Sequence, residues 1–325
     1  MSGNESWMEQ LPAGVKSIPL CNLAIPAFLP MHAHKLRIST GSHQTATDAL
    51  NIKMPIACDM PRCLRFIGRC PDVKQIIGRW SQCQTWSLYQ QLRYGIRYLD
   101  IRVGCYSREQ TAFTVHGLYG PSVFDIAEQV LAFLSIYDDE VVILDFNHFY
   151  GFTRKSHLQL ISFLLEKFNT RLVPAPPGVD VTEFSLYKAH AKRYQVILFY
   201  QDSKYDIVHP LIWSSKHIRS PWPNTNNIQQ LIPYLEKALR QKDTLLPQGG
   251  FFVTQGILTP TLRDIVFNWR KSLKSKMALK ASDETINWIK TSTQTIHSLL
   301  NVVIVDFVEF DDFCNLIIKL NWNKQ

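Results

Sequence analysis

Runs of β-branched and aromatic residues alternate with stretches of helical period along almost the whole chain. Residues 18–25 (IPLCNLAI) read as a first strand. Residues 87–95 follow helical spacing and lead into 96–103 (IRYLDIRV), a strand. A shorter strand follows at 112–116, with Gly117 and Gly120 as turn residues behind it. Between 122 and 137 the apolar positions Val123, Ile126, Val130, Phe133 and Leu134 fall on one face of a helix. Residues 141–146 (VVILDF), 196–200 (VILFY) and 302–307 (VVIVDF) are nearly all apolar, as suits parallel strands buried on both faces. A further strand is expected at 251–254 and a weak one at 211–213. Helices are expected over 157–168, 228–240, 262–272, 283–291 and 313–320. Alternation sustained this long points to a parallel α/β sheet, and about seven or eight strands favour a TIM-like (β/α)8 barrel over an open sheet. The proline-rich breaks at 174–178 and 221–223 are short loops and not linkers, so residues 1–325 read as one domain.

Composition narrows the class. At 325 residues, 46% hydrophobic and 19% charged, the chain can bury a full core, which excludes a disordered, collagen-like or coiled-coil protein. No apolar run reaches the roughly 18 residues of a membrane-spanning helix. Residues 1–10 lack the basic start and apolar stretch of a secretory signal, so a cytoplasmic setting is expected. Lys and Arg exceed Asp and Glu, 35 against 27, and the net charge of +8 suits anionic partners such as lipid headgroups or phosphate esters. The 7 cysteines are odd in number and do not read as a disulfide framework. Cys58, Cys63 and Cys70 cluster without the close pairs of a zinc site.

Barrel enzymes gather their chemistry where the strands end, because the loops there converge on one mouth. The polar residues at those ends are His43, Asp100, Arg102, His116, Asp145, Asn147, Tyr200, Gln201 and Asp306. A carboxylate inside VVILDF or VVIVDF is costly to bury without a partner. Capping of backbone N–H groups is the plain alternative for Asp145. Period-two alternation places Asp100 and Arg102 on one face of their strand, pointing into the mouth.

Several stretches together resemble the phosphatidylinositol-specific phospholipase C X-domain-containing family. They are G-S-H (41–43), R-Y-L-D-I-R-V (97–103), V-H-G-L-Y-G (115–120) and V-V-I-L-D-F-N-H-F-Y (141–150). W-M-x-x-L-P (7–12), L-x-N-L-A-I-P (20–26), V-I-L-F-Y (196–200), P-W-x-N-T (221–225) and V-D-F-V (305–308) join them. The match spans about residues 7–321, and its specificity lies in the order and spacing of the motifs. The resemblance implies a barrel that cleaves the glycerol–phosphate bond of inositol phospholipids to diacylglycerol and an inositol phosphate, often through a 1,2-cyclic phosphate. It implies His43 as general base and His116 as general acid. Two imidazoles near neutral pKa suit such proton transfers. In calcium-dependent relatives acidic residues on the Asp100 strand hold Ca²⁺, whereas in bacterial-type enzymes an arginine takes the cation's place. Arg102 therefore implies a mechanism without metal or other cofactor. Asp306 would orient His43, Asp100 would steady Arg102 or bond the attacking hydroxyl, and Tyr200 would stack on the inositol ring or pack in the core. Asp145 and Asn147 are further candidates for substrate binding. The partners implied are an inositol phospholipid and a membrane met by transient peripheral contact, with no nucleic acid. Tyr119, Phe149, Tyr150 and Trp222 are the loop aromatics expected to touch lipid or to pack onto the rim.

Two departures matter. Family members read I-P-G-S-H-D without interruption, but here residues 27–40 (AFLPMHAHKLRIST) stand between Pro26 and Gly41. Gln44 occupies the position where the family has Asp. Both bear on the proposed base and open an alternative, a barrel that binds inositol lipids or phosphates without turnover. The inserted His32-x-His34 also resembles the metal pair of amidohydrolases, but VVILDF carries no Lys and VILFY no His to complete that ligand set. A glycerophosphodiester phosphodiesterase is a third reading; its carboxylate-held metal is at odds with Arg102.

Overall fold

The computed structural model describes residues 3–28, 71–106, 111–205 and 207–324. The strands are β1 (Ile25–Phe28), β2 (Tyr98–Tyr106), β3 (Thr111–His116), β4 (Leu118–Ser122) and β5 (Val142–Tyr150). They continue as β6 (Val196–Tyr200), β7 (Ile218–Arg219), β8 (Phe251–Gln255) and β9 (Val302–Ile304). The longer helices are α1 (Pro71–Ser81), α2 (Leu88–Tyr94), α3 (Val123–Leu134), α4 (Arg154–Phe168) and α5 (Leu186–Lys192). After them come α6 (Ile228–Arg240), α7 (Leu262–Phe267), α8 (Leu279–Thr291) and α9 (Phe313–Leu320).

Parallel pairing runs in the order β6–β5–β2–β1–β9–β8–β7, and the β3–β4 hairpin joins the far end of β2 antiparallel. Packing joins the two ends of this curved sheet. The Phe251 ring of β8 lies 5.7 Å from Phe199 of β6 and 6.1 Å from Trp213. Trp213 itself bridges Phe199 in parallel, at the place of the weak strand expected at 211–213. The architecture is the expected α/β barrel type, with a core that collects side chains from Trp7 to Leu320.

Local chemistry explains where the elements start and stop. Ser87 opens α2 through a capping box with Gln90, and Gly95, at φ +118°, closes it. Thr153 caps α4 one turn earlier than the apolar pattern suggests. The first strand is not 18–25: residues Leu20–Asn22 form a 3₁₀ turn and β1 begins at Ile25. Asn321 explains the shift, because its side chain takes both the N–H (2.7 Å) and the C=O (2.8 Å) of Ala24. Ala27 and Phe28, counted in the insertion by sequence, pair with β2 and are strand residues. The helix expected over 262–272 stops at Phe267, where Asn268 donates back to the Asp264 carbonyl through its backbone N–H and its side chain. Gly120 lies within β4, so the hairpin turn is at Gly117 alone. The helices α1 and α5 and the short β7 do not follow from the periodicity.

One buried ion pair ties the N-terminal segment to the barrel. Arg97 and Glu140 are both fully buried and meet at 2.6 Å. Arg97 also donates to the carbonyls of Leu92 (2.6 Å), Ile96 (2.7 Å) and Glu5 (2.7 Å). Glu140 accepts from the backbone N–H groups of Met8 (2.9 Å) and Glu9 (3.0 Å). Removing one partner strands the other charge in the core. Glu140→Ala is expected to lower the unfolding free energy by about 3–5 kcal/mol in a denaturant titration.

Candidate active site

The mouth is built where β2, β5 and β9 end. Along the β2–β5 ladder Asp100 faces Asp145 and Ile101 faces Phe146, but Arg102 faces His148. The register slips by one residue between Ile101 and Arg102, and Asn147 is the extra residue. Paired residues of a parallel ladder share a face, so the slip sets Asp100 and Asp145 beside Arg102 and His148. Asn147 stitches the step: its Nδ2 donates to Asp100 Oδ1 (2.8 Å) and Asp145 Oδ2 (3.2 Å).

Asp145 is fully buried and saturated with donors. Tyr98 Oη donates to Oδ2 at 2.6 Å and Gln201 Nε2 to Oδ1 at 2.6 Å. Burial and the neighbouring Asp100 charge raise its pKa to about 6, while the three donors pull the other way. Arg102 Nε lies 3.6 Å from Asp100 Oδ1, on the face that strand alternation predicts. Asp100 is therefore placed to hold the guanidinium at the mouth.

His116 ends β3 on the same side. Its Nδ1 is 2.9 Å from the Ser81 carbonyl at the end of α1. A carbonyl only accepts, so in the neutral ring Nδ1 carries the proton and Nε2 the lone pair. The turn that aims this ring is Gly117 at φ +76°, a backbone angle that demands glycine, and a Cβ there would press on the Ser81 hydroxyl.

Asp306 does not lie on the last strand as expected. β9 stops at Ile304, and Phe307 takes φ +56°. Residues 83 and 84 impose that end. Cys83 C=O accepts from Phe307 N–H at 2.8 Å. The Gln84 amide donates to Val305 C=O (3.4 Å) and accepts from Val308 N–H (3.1 Å). Asp306 is left 3% exposed, with Oδ1 accepting no hydrogen bond among the described residues. Burial raises its pKa to about 7, against the Cys83 thiol bond and the Arg102 charge.

Cys83 is a member of the site that sequence reasoning missed. Its buried Sγ lies 3.7 Å from His116 Nδ1 and hydrogen-bonds Asp306, and burial holds the thiol well above its ordinary pKa. The thiol thus links the ring of β3 to the acid after β9. His148 is the second residue missed. Its Nδ1 is 2.7 Å from Asn147 Oδ1, and burial and then the Arg102 charge lower its pKa. Only the ladder slip reveals it, and a slip leaves no mark in period-two reading.

The remaining candidates divide. His43, Gln44, His32, His34, Cys58, Cys63, Cys70 and most of the 27–40 stretch lie outside the described residues. Among the described residues no group of three or more His, Cys, Asp or Glu could hold a metal ion. Tyr200 is 5% exposed; its hydroxyl is 2.7 Å from His157 Nδ1, and Phe146 and Phe149 flank its ring. Tyr119, Phe149 and Tyr150 lie on strands and not in loops. Trp222 is exposed, with Nε1 3.0 Å from Thr259 Oγ1.

Known proteins are similar to this chain in sequence or in fold, although no family model matches it. PI-PLC X domain-containing protein 2 of Mus musculus is 33% identical over 98% of this chain and 88% of its own length. PI-PLC X domain-containing protein 3 of Homo sapiens is 32% identical over 97% of this chain and 93% of its own. The chain belongs to the PI-PLC X domain-containing family. The phosphatidylinositol-specific phospholipase C of Listeria monocytogenes superposes with TM-score 0.62 at 16% identity, covering 98% of this chain and 99% of that one. A point mutant of the phosphatidylinositol-specific phospholipase C from Staphylococcus aureus gives TM-score 0.63 at 12% identity, over 98% of this chain and 97% of that one. At such identities the likeness is one of fold, and it places this PI-PLC X domain family member among the PI-PLC barrels.

Two outcomes follow from the site itself. Asp306 has a folded pKa raised above its unfolded value, so the native state binds the extra proton between about pH 4 and 7. Its contribution to stability is present at low pH and lost as pH rises through about 7. Thermal unfolding should therefore show Asp306→Asn gaining on the parent above pH 7 and not at pH 4. Gly117→Ala should lower the melting temperature and shift the ¹⁵N signals of the His116 ring, because an alanine is strained at that φ and the turn must relax.

Proposed function

We propose that the protein is a phosphoric diester hydrolase that cleaves phosphatidylinositol-type phospholipids between glycerol oxygen and phosphorus. The observation that supports the reading is that His116, Asp306 and Arg102 all lie within reach of one buried thiol, Cys83, in a PI-PLC X domain family member. His43 takes the proton of the inositol 2-hydroxyl, and that oxygen bonds to phosphorus. The P–O bond to glycerol breaks, and His116, as imidazolium, gives its Nε2 proton to the departing oxygen. Diacylglycerol leaves and a 1,2-cyclic inositol phosphate remains, which water opens to the monoester. The Arg102 guanidinium offsets charge on the phosphoryl oxygens through two parallel donors, the work a divalent ion does in calcium-dependent relatives.

Asp306 fits as the partner of the base. A buried carboxylate with an unfilled acceptor is stabilised when an imidazolium forms beside it. Asp100 holds Arg102, and Asn147 and the buried Asp145 support Asp100 from below, with Tyr200 behind them. In this reading residues 1–325 are one X-type barrel domain, with a core of about 7–321. The protein works in the cytoplasm and meets membranes only transiently.

A second reading, binding without turnover, is favoured by Gln44 and the stretch before Gly41. Turnover of phosphatidylinositol separates the two. The phosphodiesterase reading expects His116→Ala to cost roughly 10²–10⁴-fold in rate. Arg102→Lys should fall well below the parent, since an ammonium keeps the charge but loses the fork. A chelator should change nothing, and strict dependence on Ca²⁺ would overturn the role of Arg102. An inert parent that becomes active when 29–40 are excised, with Ala27 and Phe28 of β1 spared, would establish the second reading.

A further inference from the structure

Among the described residues, the largest run of exposed apolar side chains lies beside the mouth. In α7 and just after it, Leu262 (58%), Val266 (63%), Phe267 (75%) and Trp269 (47%) face solvent. Single exposed apolar residues are ordinary, but four within eight positions are a patch. Its charge is one-sided. Between 262 and 280 stand Arg263, Arg270, Lys271, Lys274, Lys276 and Lys280, against Asp264 alone. Asp264 is already engaged, bonding Thr261 and Asn226.

The cations and the rings are interleaved. The Arg263 guanidinium lies 5.5 Å from the Phe267 ring centre, and that of Arg270 lies 4.6 Å from Trp269. The patch is also fastened to the site. Arg79 at the end of α1 donates to the Trp269 carbonyl at 2.8 Å, two residues before the Ser81 carbonyl that holds His116. Lys274 Nζ sits over Phe307 (4.7 Å) and Phe310 (4.5 Å) and pairs with Glu309 Oε1 at 3.4 Å, in the segment that follows Asp306. Trp222, the expected lipid-touching residue that is indeed exposed, borders it through Thr259.

The geometry points to an anionic lipid surface as the occupant of this face. Aromatic rings that settle at headgroup depth, among arginines and lysines that pair with anionic headgroups, are what an interfacial segment needs. Docking here sets the mouth against the layer from which an inositol headgroup must be drawn. The inference rests on the phospholipid reading for its choice of partner, and it assigns the contact to residues 262–271 and not to Tyr119, Phe149 or Tyr150.

The test is sedimentation of the full chain with vesicles of phosphatidylcholine alone, with phosphatidylserine, or with phosphatidylinositol. Alongside it runs turnover of a monomeric short-chain phosphatidylinositol. The parent should sediment with both anionic compositions and not with phosphatidylcholine, and salt should weaken the binding. Phe267→Ser with Trp269→Ser should abolish sedimentation. Arg263→Gln, Arg270→Gln and Lys271→Gln together should weaken it about 10²-fold, at roughly a decade per cation or somewhat less. Neither variant should change turnover of the monomeric substrate, which also shows that both fold. Vesicle binding that survives both variants, or a parent that binds no vesicle, overturns the inference. Binding by the patch without turnover of any substrate keeps this surface and discards the phosphodiesterase reading; turnover with patch-independent binding does the reverse.

Discussion

The site depends on one irregularity in a ladder. β2 and β5 run side by side in register until Ile101, and there β5 spends one extra residue. Without that step His148 would fall out of line with Arg102. With it, a cation, two acids and an imidazole share one patch of barrel mouth. The acids are sustainable because partners surround them: Tyr98, Gln201 and Asn147 donate to Asp145, and Asn147 donates to Asp100, with the Arg102 charge 3.6 Å from it. Burial and the Asp100 charge raise the proton affinity of Asp145.

The second constraint comes from chain far away in sequence. Cys83 and Gln84 clamp the end of β9 through three backbone groups. The clamp turns Asp306 inward and brings the thiol between it and His116. Burying an acid with an open acceptor costs stability, which natural folds accept mainly where the acid has chemical work to do. The same region carries the basic and aromatic face of α7 through Lys274 and Phe307.

Much of the fold was legible because its signals are local and redundant. The apolar runs of β5, β6 and β9, the Ser87 and Gly95 caps of α2, and the periodicity of α6 all lie where reading placed them, to within a few residues. The errors trace mostly to contacts distant in sequence. Asn321, some 300 residues away, occupies Ala24 and delays β1. Asn268 ends α7 early. The clamp at 83–84 shortens β9. Such contacts are tertiary and leave no periodic trace. Within the site, Asp100 and Arg102 were legible from alternation alone. Cys83 and His148 were not, because one depends on a loop crossing and the other on a register slip.

The central claim is that this mouth breaks the bond between glycerol oxygen and phosphorus by attack of an inositol hydroxyl. The most direct measurement is a ³¹P NMR time course of phosphatidylinositol micelles with the parent chain, in chelator. The account predicts a cyclic inositol phosphodiester that appears first and then yields to the monoester, with diacylglycerol as co-product. Phosphatidic acid as the phosphorus product, or an unchanged lipid signal, would contradict it.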